Sequence, residues 1–408
     1  VYKRQEEILQ AWKDFSGVPQ ELQLPSAPKQ FLNYFTEDDR PQAKLDRNLE
    51  GGMAVSIGRL REDSQYDYKF VCLSHNTLRG AAGGAVLLAE LLAAKGYFDY
   101  YNTYIRTKGV LFMKKTIFTG AGVAIVTPMN ADGSINFDKL GELIDFNIDN
   151  GTDAIIICGT TGESATMTDE EHIECIRYAV EKTNHRIPVI AGTGSNHTEY
   201  AVNLSKKAEE LGADALLCVT PYYNKTSQAG LIAHFSAIAK AVTLPIILYN
   251  VPSRTGVNIL PETCRELAKI DNIVAIKAAS GNISQITQVA ALCGDDLDIY
   301  SGNDDQIVPI MALGGKGVIS VLSNCMPFET HEITQLCLDG KYEEAREKVF
   351  KTLGFAKALF SDVNPIPVKE ALNLMGFEVG ECRLPLVRMS DDKIEKLKAS
   401  MNALGLIK

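Results

Sequence analysis

The stretch PVIAGTGSNHTEYAVNLSKKAEELGADALLCVTP, from Pro188 to Pro221, decides the fold. It opens with a short apolar run and closes with another. Between them, Leu204, Ala208 and Leu211 recur at the spacing of one helix face. Short apolar runs are typical of buried strands, and a spacing of three to four is typical of an amphipathic helix. The stretch therefore predicts one strand–helix–strand unit.

The same rhythm recurs across residues 113–408. The candidate strands number eight and read GVAIVTP, AIIICG, PVIAGTG, ALLCVTP, PIILYN, IVAIK, DIYSG and GVISVLS. A helix is predicted over Thr168–Thr183, where Thr168 and Glu171 have the spacing of a capping box. Repeated βα units predict an α/β fold, a (β/α)8 TIM barrel, in which FETHEITQLCLDGKYEEAREKVFKTLGFAKALF and SDDKIEKLKASMNALGLI add extra C-terminal helices. A doubly wound open sheet is the alternative.

Composition excludes several classes of function. The 408 residues carry a net charge of −10, which argues against nucleic acid or an anionic membrane as the main partner. The nine cysteines form no C-x-x-C pair, as in a protein of the reducing cytosol, so a cytoplasmic location is expected. The six histidines form no H-E-x-x-H motif, so no metal site is expected. No apolar run is long enough to span a membrane.

If the fold is a barrel, its active site lies at the C-terminal ends of the strands. Lys277 ends the apolar run IVAIK, where a charge must be paired, neutralised or used. A carboxylate partner is the simpler reading of Lys277 taken alone. An apolar pocket would instead lower the pKa of the amine, making it a nucleophile that forms Schiff bases with carbonyl substrates.

Three neighbouring motifs each have a structural and a functional interpretation. Thr160 and Thr161, in CGTTGES, form either a tight turn or a carboxylate site of hydroxyls and backbone N–H groups. Tyr249 is either a core tyrosine or a general acid/base beside the lysine. Arg254, in VPSRTG, either braces its loop or clamps a carboxylate.

Together the motifs GTTGES, TPYYNK, YNVPSRTG, IVAIKAASGN and NPIPVK make residues 113–408 resemble the 4-hydroxy-tetrahydrodipicolinate synthase (dihydrodipicolinate synthase) family. The resemblance implies a TIM barrel that assembles as a homotetramer, a dimer of dimers. It implies condensation of pyruvate with L-aspartate 4-semialdehyde in lysine and diaminopimelate biosynthesis. No metal and no organic cofactor is implied.

The resemblance also implies a role for each matching residue. The catalytic residues are Lys277 for imine formation, Tyr249 for acid–base catalysis, and Thr161 and Tyr223 for a proton relay, with Tyr223 supplied by a neighbouring subunit. The substrate-binding residues are Thr160 and Thr161 for the pyruvate carboxylate, Arg254 for the carboxylate of the aldehyde, and Gly302 and Ile319 for backbone contacts to pyruvate. Ala278 departs from the pattern, because the family often has glutamate there.

Feedback inhibition by lysine is a further expectation from the resemblance. The residues that match the family's effector site are Ser164, Ala165, His172, Asn196 and Tyr222. The site's acidic residue does not align, since Tyr200 stands in its place with Glu199 beside it. The alternative is that His172 and Asn196 are simply exposed helix and loop residues.

Two other functions remain open for the barrel. One is a related pyruvate-dependent aldolase such as N-acetylneuraminate lyase, which shares the lysine and the tyrosine; the arginine of VPSRTG and the doubled threonine favour the synthase. The other is a non-catalytic barrel that binds a keto acid or lysine, which fold alone does not exclude.

Residues 1–112 do not continue the βα rhythm. Strands MAVSIGRL and YDYKFVCLS precede the apolar helix AVLLAELLAAKG, and DRPQAKLDRNLEGGMAVSIGR and LSHNTLRGAA resemble the C-terminal end of aspartate-semialdehyde dehydrogenase over residues 6–98. That family's dinucleotide loop, nucleophilic cysteine and acid/base histidine are missing, and Cys72 and His75 do not match them, so no dehydrogenase activity is expected. We predict an incomplete α+β fragment at 1–98, a linker or translated intergenic segment at 99–112, and a natural start at Met113.

Overall fold

The computed structural model describes residues 4–95, 114 and 116–407 and divides the chain into two compact units, Val1–Phe112 and Met113–Lys408. The predicted segment 99–112, the expected start at Met113 and the helix-ending glycine at 96 lie outside the described residues. Each unit is described by itself.

The first unit is built on a three-stranded sheet. Its strands are β1 (Leu32–Phe35), β2 (Val55–Glu62) and β3 (Tyr68–Leu73), with β1 parallel and β3 antiparallel to β2. Its helices are α1 (Gln5–Lys13), α2 (Val18–Glu21), α3 (Ala43–Asp46) and α4 (Gly83–Ala94). The predictions of β2, β3 and α4 are confirmed, whereas β1 was not predicted.

Little of this unit is buried. Its hydrophobic cluster is formed by Leu24, Met53 and Leu87, and the four middle residues of β3 are exposed. A small unit has little core of its own, and among the described residues the middle of β3 is left exposed. An incomplete α+β fragment is the fold that this arrangement fits.

Eight parallel strands close the second unit into a barrel, which confirms the predicted (β/α)8 fold. The strands are β4 (Gly120–Ala124), β5 (Ala154–Ile157), β6 (Val189–Gly192), β7 (Ala215–Val219), β8 (Ile246–Asn250), β9 (Ile273–Ala278), β10 (Asp298–Ser301) and β11 (Gly317–Ser320). Closure comes from the pairing of β11 with β4, where Gly317 lies opposite Gly120. An open doubly wound sheet has no such pairing, so that alternative is wrong.

Strand β5 shows why these apolar runs form a barrel. All of its residues are buried, and successive side chains point to opposite faces of the sheet. Ala154 and Ile156 pack inside the barrel, while Ile155 and Ile157 pack against the surrounding helices. A strand buried on both faces is a continuous apolar run, which is the pattern that the sequence showed.

The outer layer consists of helices between and after the strands. They are α5 (Phe137–Asp149), α6 (Asp169–Thr183), α7 (Thr198–Glu210), α8 (Gln228–Ala241), α9 (Pro252–Thr255), α10 (Pro261–Leu267), α11 (Ile283–Cys293), α12 (Ile307–Ala312), α13 (Pro327–Leu338), α14 (Tyr342–Ala358), α15 (Ile366–Leu374) and α16 (Asp391–Asn402). The capping box of α6 is confirmed: Thr168 Oγ1 accepts from the Glu171 N–H, and Glu171 Oε2 accepts from the Thr168 N–H.

The C-terminal region differs from the prediction in one respect. Helix α13, counted as part of the extension, packs against β4 and β11 and is the eighth helix of the barrel. The extension proper is α14, α15 and α16, and α15 was not predicted. No helix within the described residues is long and apolar enough to cross a membrane.

Candidate active site

The register of the sheet brings two predicted residues together at the C-terminal end of the barrel. Tyr249 near the end of β8 lies directly opposite Lys277 near the end of β9. The Lys277 Nζ atom lies 4.4 Å from the centroid of the Tyr249 ring. The amine and the tyrosine ring are therefore packed against each other at the strand ends.

Lys277 is buried, with 5% of its surface exposed. Burial lowers its pKa to about 8, the positive charge of Arg254 adds to this, and the negative charge of Asp304 opposes it. Within the described residues, no carboxylate forms an ion pair with the amine; Asp304 acts on it through space. The simpler reading, a strand-end lysine paired with a carboxylate, is therefore wrong, and a large fraction of the amine is neutral near pH 8.

Asp304 was not predicted as a site residue, although it follows the predicted strand DIYSG closely. Its carboxylate accepts hydrogen bonds from Ser320 Oγ at 2.5 Å and from the Leu322 N–H at 3.0 Å. Burial raises the pKa of Asp304, and these donors oppose the rise. The bonds fix the turn after β11 that carries Val321 to the cavity wall.

A cavity of about 360 Å³ opens at these strand ends. The predicted residues that line it are Thr160, Thr161, Tyr249, Arg254, Lys277 and Gly302. The other lining residues come from neighbouring strand ends and from the segment between α14 and α15. A site of this size and polarity suits a small polar molecule.

The threonine pair sits in a tight turn after β5, where the Gly162 N–H donates to the Gly159 carbonyl at 3.0 Å. The structural and functional interpretations are compatible, because both threonines also line the cavity. Thr161 is buried, and its Oγ1 accepts a hydrogen bond from Asn364 Nδ2 at 2.9 Å.

Thr160, the other threonine of the turn, acts on the pKa of Tyr249. Burial raises the pKa of Tyr249, while the Arg254 charge and a hydrogen bond with Thr160 act to lower it. The sequence expectation gave the proton relay to Thr161. The hydrogen bond that acts to lower the pKa of Tyr249 involves Thr160, whereas Thr161 Oγ1 accepts from Asn364.

A buried ion pair holds this turn in place. Lys369 Nζ lies 2.9 Å from Glu163 Oε1, and both side chains are at most 2% exposed. Lys369 also donates to the carbonyls of Thr127 and Glu381, and Glu163 Oε2 accepts from the Arg383 N–H. Breaking such a pair leaves an uncompensated buried charge. Sequence reasoning assigned it no role, although both residues lie in quoted motifs, GTTGES and NPIPVK.

Two predicted residues are not brought into the cavity of this chain. Tyr223 is 92% exposed in the loop after β7. Ile319 is fully buried in the inner core of the barrel, and Val321 lines the cavity instead.

The predicted effector residues lie outside the cavity. Ser164 and Ala165 form a 3₁₀ turn that leads into α6. His172, in α6, is buried, and its Nε2 lies 2.8 Å from the Gly192 carbonyl oxygen, so the alternative of an exposed histidine is wrong. Burial lowers the pKa of His172. Asn196 is half-buried, and its carbonyl accepts from the Asn224 side chain.

Tyr200 stands in the place of the acidic residue of the expected effector site, which does not align with this sequence. Its hydroxyl donates to Asp169 Oδ1 at 2.6 Å, so a carboxylate from α6 lies at this position after all. Burial raises the pKa of Tyr200 to about 12, and Asp169 adds to the rise. Tyr222, which precedes Tyr223 in the sequence, is partly exposed.

A metal centre finds no support in the part of the chain that the structure describes. Among those residues, no group of three or more histidine, cysteine, aspartate or glutamate side chains is arranged to hold a metal ion.

Comparison with known proteins follows the division into two units. Residues 117–404 match the model of the dihydrodipicolinate synthetase family, and residues 3–79 match that of the semialdehyde dehydrogenase dimerisation domain. The 4-hydroxy-tetrahydrodipicolinate synthase of Lachnoclostridium phytofermentans is 61% identical over 292 residues, 71% of this chain and 99% of that protein. The same enzyme of Caldicellulosiruptor bescii is 59% identical over 291 residues, 71% of this chain and 98% of that protein.

Solved structures of dihydrodipicolinate synthases are also similar to this chain. A dihydrodipicolinate synthase from Acinetobacter baumannii complexed with pyruvate has a TM-score of 0.70 and 42% identity, covering 72% of this chain and 100% of that one. A dihydrodipicolinate synthase from Cyanidioschyzon merolae with lysine bound has the same TM-score, identity and coverage.

Proposed function

Because the chain belongs to the dihydrodipicolinate synthetase family, we propose that its barrel condenses pyruvate with L-aspartate 4-semialdehyde to 4-hydroxy-tetrahydrodipicolinate, in lysine and diaminopimelate biosynthesis. The observation that carries the proposal is a buried lysine of lowered pKa packed on a tyrosine at the strand ends. A lysine of lowered pKa is suited to form a Schiff base, and a neighbouring tyrosine is suited to move the protons.

The reaction begins with the neutral amine of Lys277 attacking the carbonyl carbon of pyruvate. Water leaves as the imine forms, and Tyr249 moves the protons. Loss of a methyl proton from the imine gives an enamine, whose carbon attacks the aldehyde. The amine of the second substrate then displaces Lys277 and closes the ring. The protonated imine acts as the electron sink throughout.

The proton path runs from Tyr249 to Thr160, because the hydrogen bond between these two side chains favours Thr160 over Thr161 for the relay. Thr161 keeps the role of binding the pyruvate carboxylate, together with the backbone beside Gly302. Arg254, at the cavity wall, binds the carboxylate of the aldehyde. Ile319, whose side chain is buried in the core, is proposed to contact pyruvate through its backbone.

Tyr223 completes the relay only if another subunit supplies it. Its side chain is almost fully exposed here, as expected of a residue that projects into a neighbouring subunit. We therefore extend the proposal to a homotetramer in the cytoplasm. The role of Tyr223 in the active site of a neighbouring subunit is tested by Tyr223→Phe. In this assignment, the variant lowers turnover without lowering the stability of the barrel.

Lysine is proposed as an effector at Ser164, Ala165, His172, Asn196 and Tyr222. Support comes from the relative solved with lysine bound. The carboxylate of Asp169, held by Tyr200, is suited to the ammonium group of lysine.

Residues 1–98 are proposed to be a truncated dehydrogenase fragment without catalysis of its own. Ala278 is proposed to leave the chemistry of the barrel unchanged.

The function is tested by supplying the full chain with pyruvate and L-aspartate 4-semialdehyde and following formation of the cyclic product. We expect product with this pair and no cleavage of N-acetylneuraminate. Cleavage of the sugar acid without condensation would favour the related aldolase. Tight binding of pyruvate with neither reaction would favour the non-catalytic barrel.

A further inference from the structure

The C-terminal extension forms one wall of the catalytic cavity. Four residues of the segment between α14 and α15 line it, namely Phe360, Asp362, Val363 and Asn364. They come from outside the eight βα units, so the strand ends alone do not complete the site. A residue of this segment can therefore recognise a part of the substrate that the strand ends do not reach.

Asn364 is the residue of this wall that contacts the predicted machinery. Its Nδ2 donates to Thr161 Oγ1 at 2.9 Å, and its backbone carbonyl accepts from Arg254 Nη2 at 3.2 Å. A threonine hydroxyl that accepts a hydrogen bond from the amide keeps its own proton to donate. The contact therefore orients Thr161 as a donor towards the pyruvate carboxylate.

The oxygen of the Asn364 amide accepts no hydrogen bond from the described residues. Asn364 is 6% exposed, and its Oδ1 has no hydrogen-bond donor within the described residues. Buried side-chain oxygens are almost always hydrogen-bonded, so an orphaned acceptor in a cavity wall indicates a donor that arrives with a ligand.

The proposed second substrate carries such a donor. This inference rests on the proposed function, in which Arg254 binds the carboxylate of an α-amino aldehyde. The amino group of that substrate is attached to the carbon next to the carboxylate. Arg254 is hydrogen-bonded to the backbone of Asn364, so the Asn364 amide is next to the residue that binds the carboxylate in that assignment.

We propose that Asn364 Oδ1 accepts a hydrogen bond from the amino group of the aldehyde substrate. Asn364 thereby selects α-amino aldehydes over aldehydes that lack the amine. A site with a buried acceptor rejects a substrate without the matching donor, because the acceptor is then left unpaired.

The test compares two aldehydes on the full chain. One is L-aspartate 4-semialdehyde, and the other is 4-oxobutanoate, which keeps the aldehyde and the carboxylate but lacks the amine. Protein preloaded with pyruvate is mixed with either aldehyde and quenched with borohydride. The rate at which the pyruvate adduct on the protein disappears is read by intact mass, so ring closure is not needed for the readout.

In Asn364→Ala, we expect the preference for the amino aldehyde to fall by about tenfold or more. Asn364→Asp restores most of the preference, because a carboxylate oxygen also accepts from an amine. Asn364→Leu removes the acceptor while keeping the volume, so it gives the same test if the alanine variant does not fold. Asn373→Ala removes an amide that bonds Gly380 outside the cavity, and we expect it to retain the preference.

An equal loss of rate with both aldehydes in Asn364→Ala would overturn the proposal, because it would mean that Asn364 only supports Thr161. An unchanged preference would overturn it as well. Formation of the initial pyruvate adduct is measured in every protein before aldehyde is added. Its absence in the unmodified chain would instead refute the proposed function.

Discussion

The two units of the chain differ in how much of each is buried. The barrel encloses Lys277, Lys369 and Glu163 almost completely. Among the described residues of the first unit, six apolar side chains are buried, and its Cys72 and most of β3 are exposed. Burial shifts the pKa of an ionisable group, as it does for Lys277. The contrast shows that reactivity in this chain comes from the closed sheet and the extension packed on it.

The largest difference is expected from removing one hydroxyl in each unit. Tyr249→Phe removes the proposed acid/base, and we expect kcat/KM to fall by about 10²- to 10⁴-fold. Tyr34→Phe, in β1 of the first unit, is the matched control and leaves kcat/KM unchanged. Steady-state assays with both substrates measure the two effects, and a loss of less than threefold in Tyr249→Phe contradicts the role given to that hydroxyl.

The buried ion pair provides the next contrast. Glu163→Ala leaves the Lys369 charge unpaired in the core, and we expect the free energy of unfolding to fall by about 3–5 kcal/mol. Glu174→Ala removes an exposed partner of Arg177, so we expect a loss of less than about 1 kcal/mol. Denaturant titration of the full chain, read on the barrel transition, measures both. Equal losses contradict a structural role specific to the buried pair.

A smaller change, in the rate of pyruvate adduct formation, is expected when the pH is varied. The neutral amine of Lys277 is the nucleophile, and burial lowers its pKa to about 8. The rate of pyruvate adduct formation therefore rises about tenfold from pH 6 to pH 7 and levels off above pH 9. Stopped-quench measurements with borohydride give this profile.

Asp304→Asn sharpens the pH measurement. The negative charge of Asp304 opposes the lowering of the Lys277 pKa, so its removal moves the midpoint of the profile to lower pH. A profile that still rises above pH 10 in the unmodified chain shows that the amine is not desolvated.

The smallest effect is expected from removing the first unit. All the cavity residues come from the second unit, and the relatives are matched almost end to end by about 71% of this chain. We therefore expect a protein of residues 113–408 to keep kcat/KM within about twofold of the full chain. A loss of tenfold or more would mean that the first unit contributes to catalysis.

The barrel and most of its site were predictable because their signals are local. The apolar runs predicted the eight strands, and the residues at the strand ends predicted a site that contains Lys277 and Tyr249. Asn364 and Lys369 were missed as site residues because they act from the extension, on residues more than 200 positions earlier in the chain. Sequence periodicity carries no information on such distant contacts. The proposed choice of Thr160 over Thr161 for the proton relay depends on side-chain direction within one turn, which a motif does not specify.

The central claim is that Lys277 is a nucleophile because the barrel buries it without an ion-pair partner. The most direct measurement is borohydride trapping of the full chain with pyruvate, followed by intact mass and peptide mapping. The account predicts one reduced pyruvate adduct per chain, on Lys277, and none in Lys277→Ala. The exposed Lys206 serves as the internal control and stays unmodified. The account is contradicted by the absence of an adduct, or by an adduct that persists in Lys277→Ala.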